Sequence, residues 1–190
     1  MYICEGRFCR LEELTTGNAI SLFNLISNNR LEYQRMVSGE IIPASFDCFE
    51  LVIRAWFQNG RMYQFLVYNR FNIVIGTIFF YISNKRLRRI KVSCFFDRSA
   101  RNRIIVPEAL GLSINFTLTV LNRDSLVFDV YEENILMHIL AQKVGARKIG
   151  RKKSAFDKSR NVTIYLLDRE IVGLINEKIL HLENTKRSNV

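Results

Sequence analysis

The chain has 190 residues, 48% of them hydrophobic, with only two prolines; this suits one compact domain with a sizeable core and excludes a disordered chain. Lys and Arg number 28 against 18 acids, a formal net charge of +10, which points either to anionic partners or to a solubility-giving basic surface. The four cysteines (Cys4, Cys9, Cys48, Cys94) form no C-x-x-C pair and there are two histidines, so reduced structural thiols are expected and a metal is not. No run reaches the roughly 18 apolar residues of a membrane span, and the N-terminus lacks the apolar region of a signal peptide, so a soluble cytoplasmic protein with no membrane partner is expected.

In chain order, residues 3–11 read as a first strand, followed by a turn around Thr15 and Gly17. Ala19, Leu22, Phe23 and Ile26 recur at helical spacing. A short helical piece over 31–37 and a loop over 38–45 follow. Ser45 is a candidate N-cap for a helix over 46–58 with the stripe Phe46, Phe49, Ile53, Trp56, closed by Asn59-Gly60. Residues 62–69 and 73–82, rich in β-branched and aromatic residues, predict an antiparallel hairpin.

The stretch 89–121 carries the densest pattern: a strand to Phe96, a loop with Arg98, Arg101, Asn102 and Arg103, and a helix opening at Pro107-Glu108. Free backbone N–H groups at a helix start, beside basic side chains, suit a phosphate. Then come a strand over 125–131, a helix with Leu136, Ile139, Leu140 and Val144 on one face stopped by Gly145, a basic segment over 147–153, a strand over 161–167, and a last helix from Asp168 bearing Ile171, Ile175, Ile179 and Leu182. Antiparallel strands followed by a β-α-β-α unit predict a mixed α/β (α+β) domain around one sheet, spanning 1–182, with a polar tail at 183–190.

Several of these segments, taken in order, resemble one family. Ile73-Val74-Ile75-Gly76-Thr77-Ile78 is similar to its hairpin strand, and Pro107-Glu108-Ala109-Leu110 to the opening of its central helix. Asn134, ending Tyr131-Glu132-Glu133-Asn134, and Lys143-Val144-Gly145-Ala146 with Ile149-Gly150 match two more of its signatures. The family is the GNAT acetyltransferase superfamily, in the branch of ribosomal-protein N-terminal and sugar-nucleotide amine acetyltransferases. The resemblance implies a mostly antiparallel twisted sheet flanked by helices, and acetyl-CoA as cosubstrate with no metal. It implies that the strand at Val92 to Cys94 pairs with the pantetheine arm. By the same implication the loop residues Arg98, Ser99, Arg101, Asn102, Arg103 and Ile104 lie at the pyrophosphate, and Asn134 reaches the pantetheine. The loop departs from the family pattern: Asn102 and Ile104 stand where small residues belong and Ser99 where Gln or Arg does. Ala141 stands where many members have a Tyr acid.

Acyl transfer to an amine needs a neutral nitrogen, a donor for the oxyanion and a proton acceptor. The candidate bases are Asp97, Asp129 and Glu50; Ser93 and Cys94 lie in the strand that faces the groove. His138 reads as structural. The expected activity is acetyl transfer from acetyl-CoA to a primary amine of a small molecule, such as a nucleotide-linked amino sugar, or of a protein N-terminus, by a monomer or homodimer. The alternatives are a degenerate binding module on the same fold and, prompted by the basic runs at 85–91 and 147–153, a nucleic-acid binder. Neither run has the aromatic interleaving of a base-stacking platform.

Overall fold

A computed structural model describes residues 1–36, 43–59, 62–84, 88–101, 104–154 and 157–170. Among them one eight-stranded sheet has the spatial order β1 (Ile3–Glu5), β2 (Cys9–Glu13), β3 (Met62–Asn69), β4 (Val74–Asn84), β5 (Arg89–Phe96), β6 (Ser125–Tyr131), β8 (Asn161–Asp168), β7 (Arg147–Lys153). All neighbours are antiparallel except β5 and β6. Period-two alternation sends each strand's residues to two cores. Phe65, Val67, Ile90, Val92 and Phe96 join α4 (Ile105–Thr119) and α5 (Ile135–Lys143) on one face. Leu66, Tyr68, Phe79 and Phe95 join α1 (Ala19–Asn28), α2 (Arg30–Met36) and α3 (Phe46–Asn59) on the other. The fold class is the expected one, a mixed α/β sheet flanked by helices.

The hairpin and the helix over 46–58 stand where the sequence puts them, and the Ser45 hydroxyl accepts from Cys48 N–H at 3.4 Å. Gly76 explains itself here. A Cβ at that position would lie 2.6 Å from the Phe96 ring and 2.8 Å from the Phe95 carbonyl, so only glycine lets β4 run against the end of β5.

Four expectations are corrected. Residues 3–11 are not one strand: β1 and β2 form a hairpin turned at Gly6 to Phe8, because the backbone there is taken up by a carboxylate from α4 described below. The central helix begins at Ile105, so Pro107 is its third residue rather than its first. The helix α5 buries Leu140 and Ala141 while Leu136 and Ile139 are exposed; two apolar stripes overlap in its sequence, and the one running through Met137 meets the core. The basic segment at 147–153 is β7, an edge strand, since pairing with β8 supplies the order that its composition does not.

His138 bridges elements: a carbonyl only accepts, so Nε2 donates to Tyr131 O at 3.1 Å, and Nδ1 meets the Tyr165 hydroxyl at 2.9 Å. Among the described residues no helix is long and apolar enough to cross a membrane. The last helix and polar tail read from the sequence lie, from residue 171 on, outside the described residues.

Candidate active site

The parallel ladder of β5 and β6 runs from Arg89 opposite Ser125 to Val92 opposite Phe128 and stops there. Both strands continue, β5 to Phe96 and β6 to Tyr131, without pairing to each other. A cleft opens between them, lined by Val92, Ser93 and Cys94 of β5, Asp129 and Tyr131 of β6, Leu110 of α4, and Asn134 and Met137 of α5. Asp97 N–H donates to Ile75 O at 2.8 Å, on the β4 side. Backbone groups alternate in direction along a strand, so those of Phe96 and Cys94 point the other way, into the cleft. This leaves an extended edge with donors and acceptors that β6 no longer meets.

The loop beyond β5 turns its polar groups inward. Asp97 Oδ1 accepts from Ser99 N–H at 2.8 Å and from the Ser99 hydroxyl, capping one 3-10 turn at Arg98–Ala100. The Ser99 hydroxyl bond outweighs partial burial and holds the Asp97 carboxyl below its usual range, so this candidate base is a turn cap. Arg101 donates Nε and Nη2 to the Phe96 carbonyl at 2.9 and 2.8 Å, and Nη1 pairs with Glu32 of α2. Its guanidinium also lies 5.7 Å from the centroid of Phe95, which meets Tyr33 of α2 edge-on at 5.1 Å. Arg101 thus fastens α2 to the end of β5. Arg98 and Ser99 are exposed, and Ile104, 53% exposed, caps the start of α4. Asn102 and Arg103 lie outside the described residues. Asn134 caps α5, its Oδ1 accepting from Met137 N–H at 3.3 Å, at the rim of the cleft.

The first turn of α4 holds a group the sequence reading assigned only to the helix dipole. Glu108 Oε1 accepts from Arg7 N–H at 2.7 Å, and Oε2 from Phe8 and Cys9 N–H at 2.7 and 2.8 Å. Burial opposes its charge, but the donors from Phe8, Cys9 and Arg7 prevail, and the carboxyl sits below its usual range. Gly6 is required beside it: a Cβ there would lie 2.7 Å from Cys9 O and 2.8 Å from Glu108 Cδ. No local signal reveals this contact, whose partners are 99 to 101 residues apart.

Inside the cleft the candidates separate. Ser93 lies on the α1–α3 face of β5, two residues before the buried Phe95. Asp129 shares that face: Leu126, Phe128 and Val130 belong to the opposite core, and Asp129 Oδ2 takes Lys91 Nζ at 2.8 Å and Lys152 Nζ at 3.0 Å. Burial disfavours its charge, yet the hydrogen bonds and charges of the two lysines prevail and hold the carboxyl below its usual range. Its second oxygen, Oδ1, is buried and has no hydrogen-bond partner among the described residues. Cys94 faces α4 and α5, with Sγ 3.9 Å from Met137 Sδ; burial pushes its thiol up to about 12, outweighing the lowering effect of Arg101. A thiol of that acidity is no nucleophile at neutral pH. Glu50 does not line the cleft; it pairs with Arg54 one turn away on α3.

Residues 10–147 match the family model described as an acetyltransferase (GNAT) domain. Solved structures share the architecture at low identity. A spermidine/spermine N-acetyltransferase (SpeG) from Vibrio cholerae, in mutant forms, superposes with a TM-score of 0.74 at 16% identity over 90% of this chain and 98% of that one. A ribosomal-protein-S5-alanine acetyltransferase from Vibrio fischeri gives 0.73 at 14% over 88% and 97%. Mycobacterium smegmatis RimJ, in complex with CoA-disulfide, gives 0.71 at 15% over 85% and 82%. No curated protein sequence matches the chain.

Proposed function

The chain belongs to the GNAT acetyltransferase family, an acyl-CoA-dependent N-acyltransferase by class, and on that premise we propose that it acetylates a primary amine within the β5–β6 cleft. The acceptor is a small molecule or a protein N-terminus. The observation that carries this reading is the parting of β5 and β6 beyond Val92, with Asp129 at the opening.

The residues present fit acetyl-CoA. The free edge of β5 offers the N–H and C=O of Cys94 and the N–H of Phe96 to an amide-bearing arm, while apolar Val92, Leu110 and Met137 line its path. Acetyl-CoA brings an acyl carbon already activated as a thioester. With acetyl-CoA bound, backbone N–H groups of β5 would donate to the acyl oxygen as the amine attacks and the C–N bond forms; the C–S bond then breaks, and CoA leaves as a thiolate that takes its proton from solvent. Arg101 takes the Phe96 carbonyl out of play and sets the end of the strand, so it acts as a positioning residue. Ser93 and Asp129 lie on the opposite face, from which the amine approaches. Asp129 Oδ1, with no donor among the described residues, would receive the proton that the nitrogen sheds, directly or through a water. Cys94 serves as wall, not as a covalent relay.

The test is calorimetric titration with acetyl-CoA, followed by thiol release in the presence of amines. Binding in the micromolar range with amine-dependent thiol release is expected; no binding at millimolar cosubstrate overturns the reading.

A further inference from the structure

One charge arrangement beside the cleft exceeds what proton transfer requires. Asp129 holds two ammonium groups from two different strands, and Lys152 reaches it from β7, across β8. One cation would neutralise the carboxylate; the second leaves an excess positive charge. Each ammonium has three N–H donors and directs one at Asp129. Both side chains are partly open to solvent, Lys91 by 31% and Lys152 by 48%. Among the described residues, four other acids are paired elsewhere: Glu132 with Arg151, Glu133 with Arg160, Asp168 with Arg147 and Glu32 with Arg101. The same face presents Asp129 Oδ1, buried and without a donor among the described residues. A donor-poor carboxylate oxygen and two under-used ammoniums therefore stand side by side, each able to take one end of a short zwitterionic molecule.

We propose that the acceptor carries an acidic group, carboxylate or phosphate, a few bonds from its amine, bound by Lys91 and Lys152 while the nitrogen faces Asp129 Oδ1. The inference rests on the transfer reading above and narrows its substrate class. It also sets this chain apart from a polyamine enzyme, because a second cationic centre on the acceptor would meet two ammoniums. Binding has a chemical corollary. As the acidic group draws the lysines toward itself, their hold on Asp129 weakens, and the carboxylate becomes a better proton acceptor once the acceptor is in place.

The experiment compares O-phosphoethanolamine with ethanolamine, which differ only in the acidic group, and with spermidine. Each is titrated into the CoA-loaded protein by calorimetry. O-phosphoethanolamine is expected to bind at least tenfold more tightly than either of the others. Lys152→Gln is expected to cut that preference to under threefold, and Lys91→Gln likewise. Lys153→Gln removes the same charge from the neighbouring position on the other face of β7, and it is expected to keep the preference. Equal or tighter binding of ethanolamine or spermidine overturns the proposal, as does undetectable binding of O-phosphoethanolamine at 10 millimolar, roughly the weak limit for a specific site. So does a loss with Lys153→Gln equal to that with Lys152→Gln, which would mark a general charge effect. Acetylated product is followed in parallel. Tight, Lys152-dependent binding with no acetyl product for any amine overturns the transfer reading while leaving the anion site in place.

Discussion

The hairpin seat on α4 and the mouth of the cleft each centre on one carboxylate held below its usual range, but the partners differ in kind. Glu108 is held by three backbone N–H groups of a single turn. Asp129 is held by two side-chain ammoniums on long stems and keeps one oxygen unpartnered. Backbone donors are fixed by the chain's own course, so Glu108 has nothing else to bind and its charge serves architecture. Lysine ammoniums can turn to another anion without moving the sheet, so the charge at Asp129 can be reassigned when a ligand arrives. The difference teaches that a lowered carboxyl pKa does not itself mark a catalytic group; the freedom of its partners does.

The sharpest way to break this contrast is Asp129→Asn. The variant keeps the shape and loses the proton acceptor, so kcat with a good acceptor amine is expected to fall by about 10²-fold or more. Its acetyl-CoA affinity, read by calorimetry, should stay within a few-fold of the parent. A kcat within threefold of the parent would remove Asp129 from the chemistry. Glu108→Gln is the mirror experiment. An amide offers one oxygen to three N–H donors and turns its own N–H₂ toward them, costing about 2–3 kcal/mol of stability, since bonds to a charged acceptor are lost and a donor is left unmet. The melting temperature should drop by roughly 5–10 °C, with kcat on the surviving protein little changed. An unchanged melting curve would show that the hairpin does not depend on this seat.

Acidification sharpens the same comparison more gently. The folded-state pKa of Glu108 is depressed. Its stabilisation is therefore complete above the ordinary carboxyl value, near 4.3, and is lost as pH falls through the lower folded-state value. Urea midpoints measured from pH 7 to pH 3 should decline along that branch. The decline should be shallower in Glu108→Gln; parallel curves would assign the acid sensitivity to other groups. Asp129 contributes with the same sign. The smallest effect is expected at Cys94. With its thiol near 12, roughly one molecule in 10⁵ holds a thiolate at neutral pH, so Cys94→Ala should leave kcat within about threefold. Loss of all acetyl transfer in that variant would restore the covalent route that the geometry rejects.

Much of the frame was legible in the sequence because it is written in short-range periodicity. The β3–β4 hairpin and the α3 stripe of Phe49 and Ile53 are both local patterns. Gly76 and the Glu108-Ala109-Leu110 opening were visible as marks of a family without their physical reasons. What escaped depended on distance along the chain. Glu108 finds its partners about a hundred residues away. Arg101, read as a phosphate ligand, bonds the carbonyl of Phe96 and a glutamate 69 residues upstream. The α5 face was misread because two apolar stripes fit one helix, and only the packing of Met137 and Leu140 chooses between them. Within the site, Ser93 and Cys94 were nameable as residues of the groove strand and Asp129 as one of three candidate bases. The joint hold of Lys91 and Lys152 on Asp129 required the β6–β8–β7 order, and nothing local encodes that order.

That order has one more consequence. Among the described residues β7 is the last strand on one side of the sheet, and a sheet edge is a template on which any extended chain can add a strand. Of the seven residues from Arg147 to Lys153, five are Lys or Arg. A second copy approaching edge to edge would set these like charges against its own, while only Ile149 offers apolar contact. The same run that raises the chain's net charge therefore guards the open flank against aggregation, and through Lys152 it lends one of its cations to the cleft.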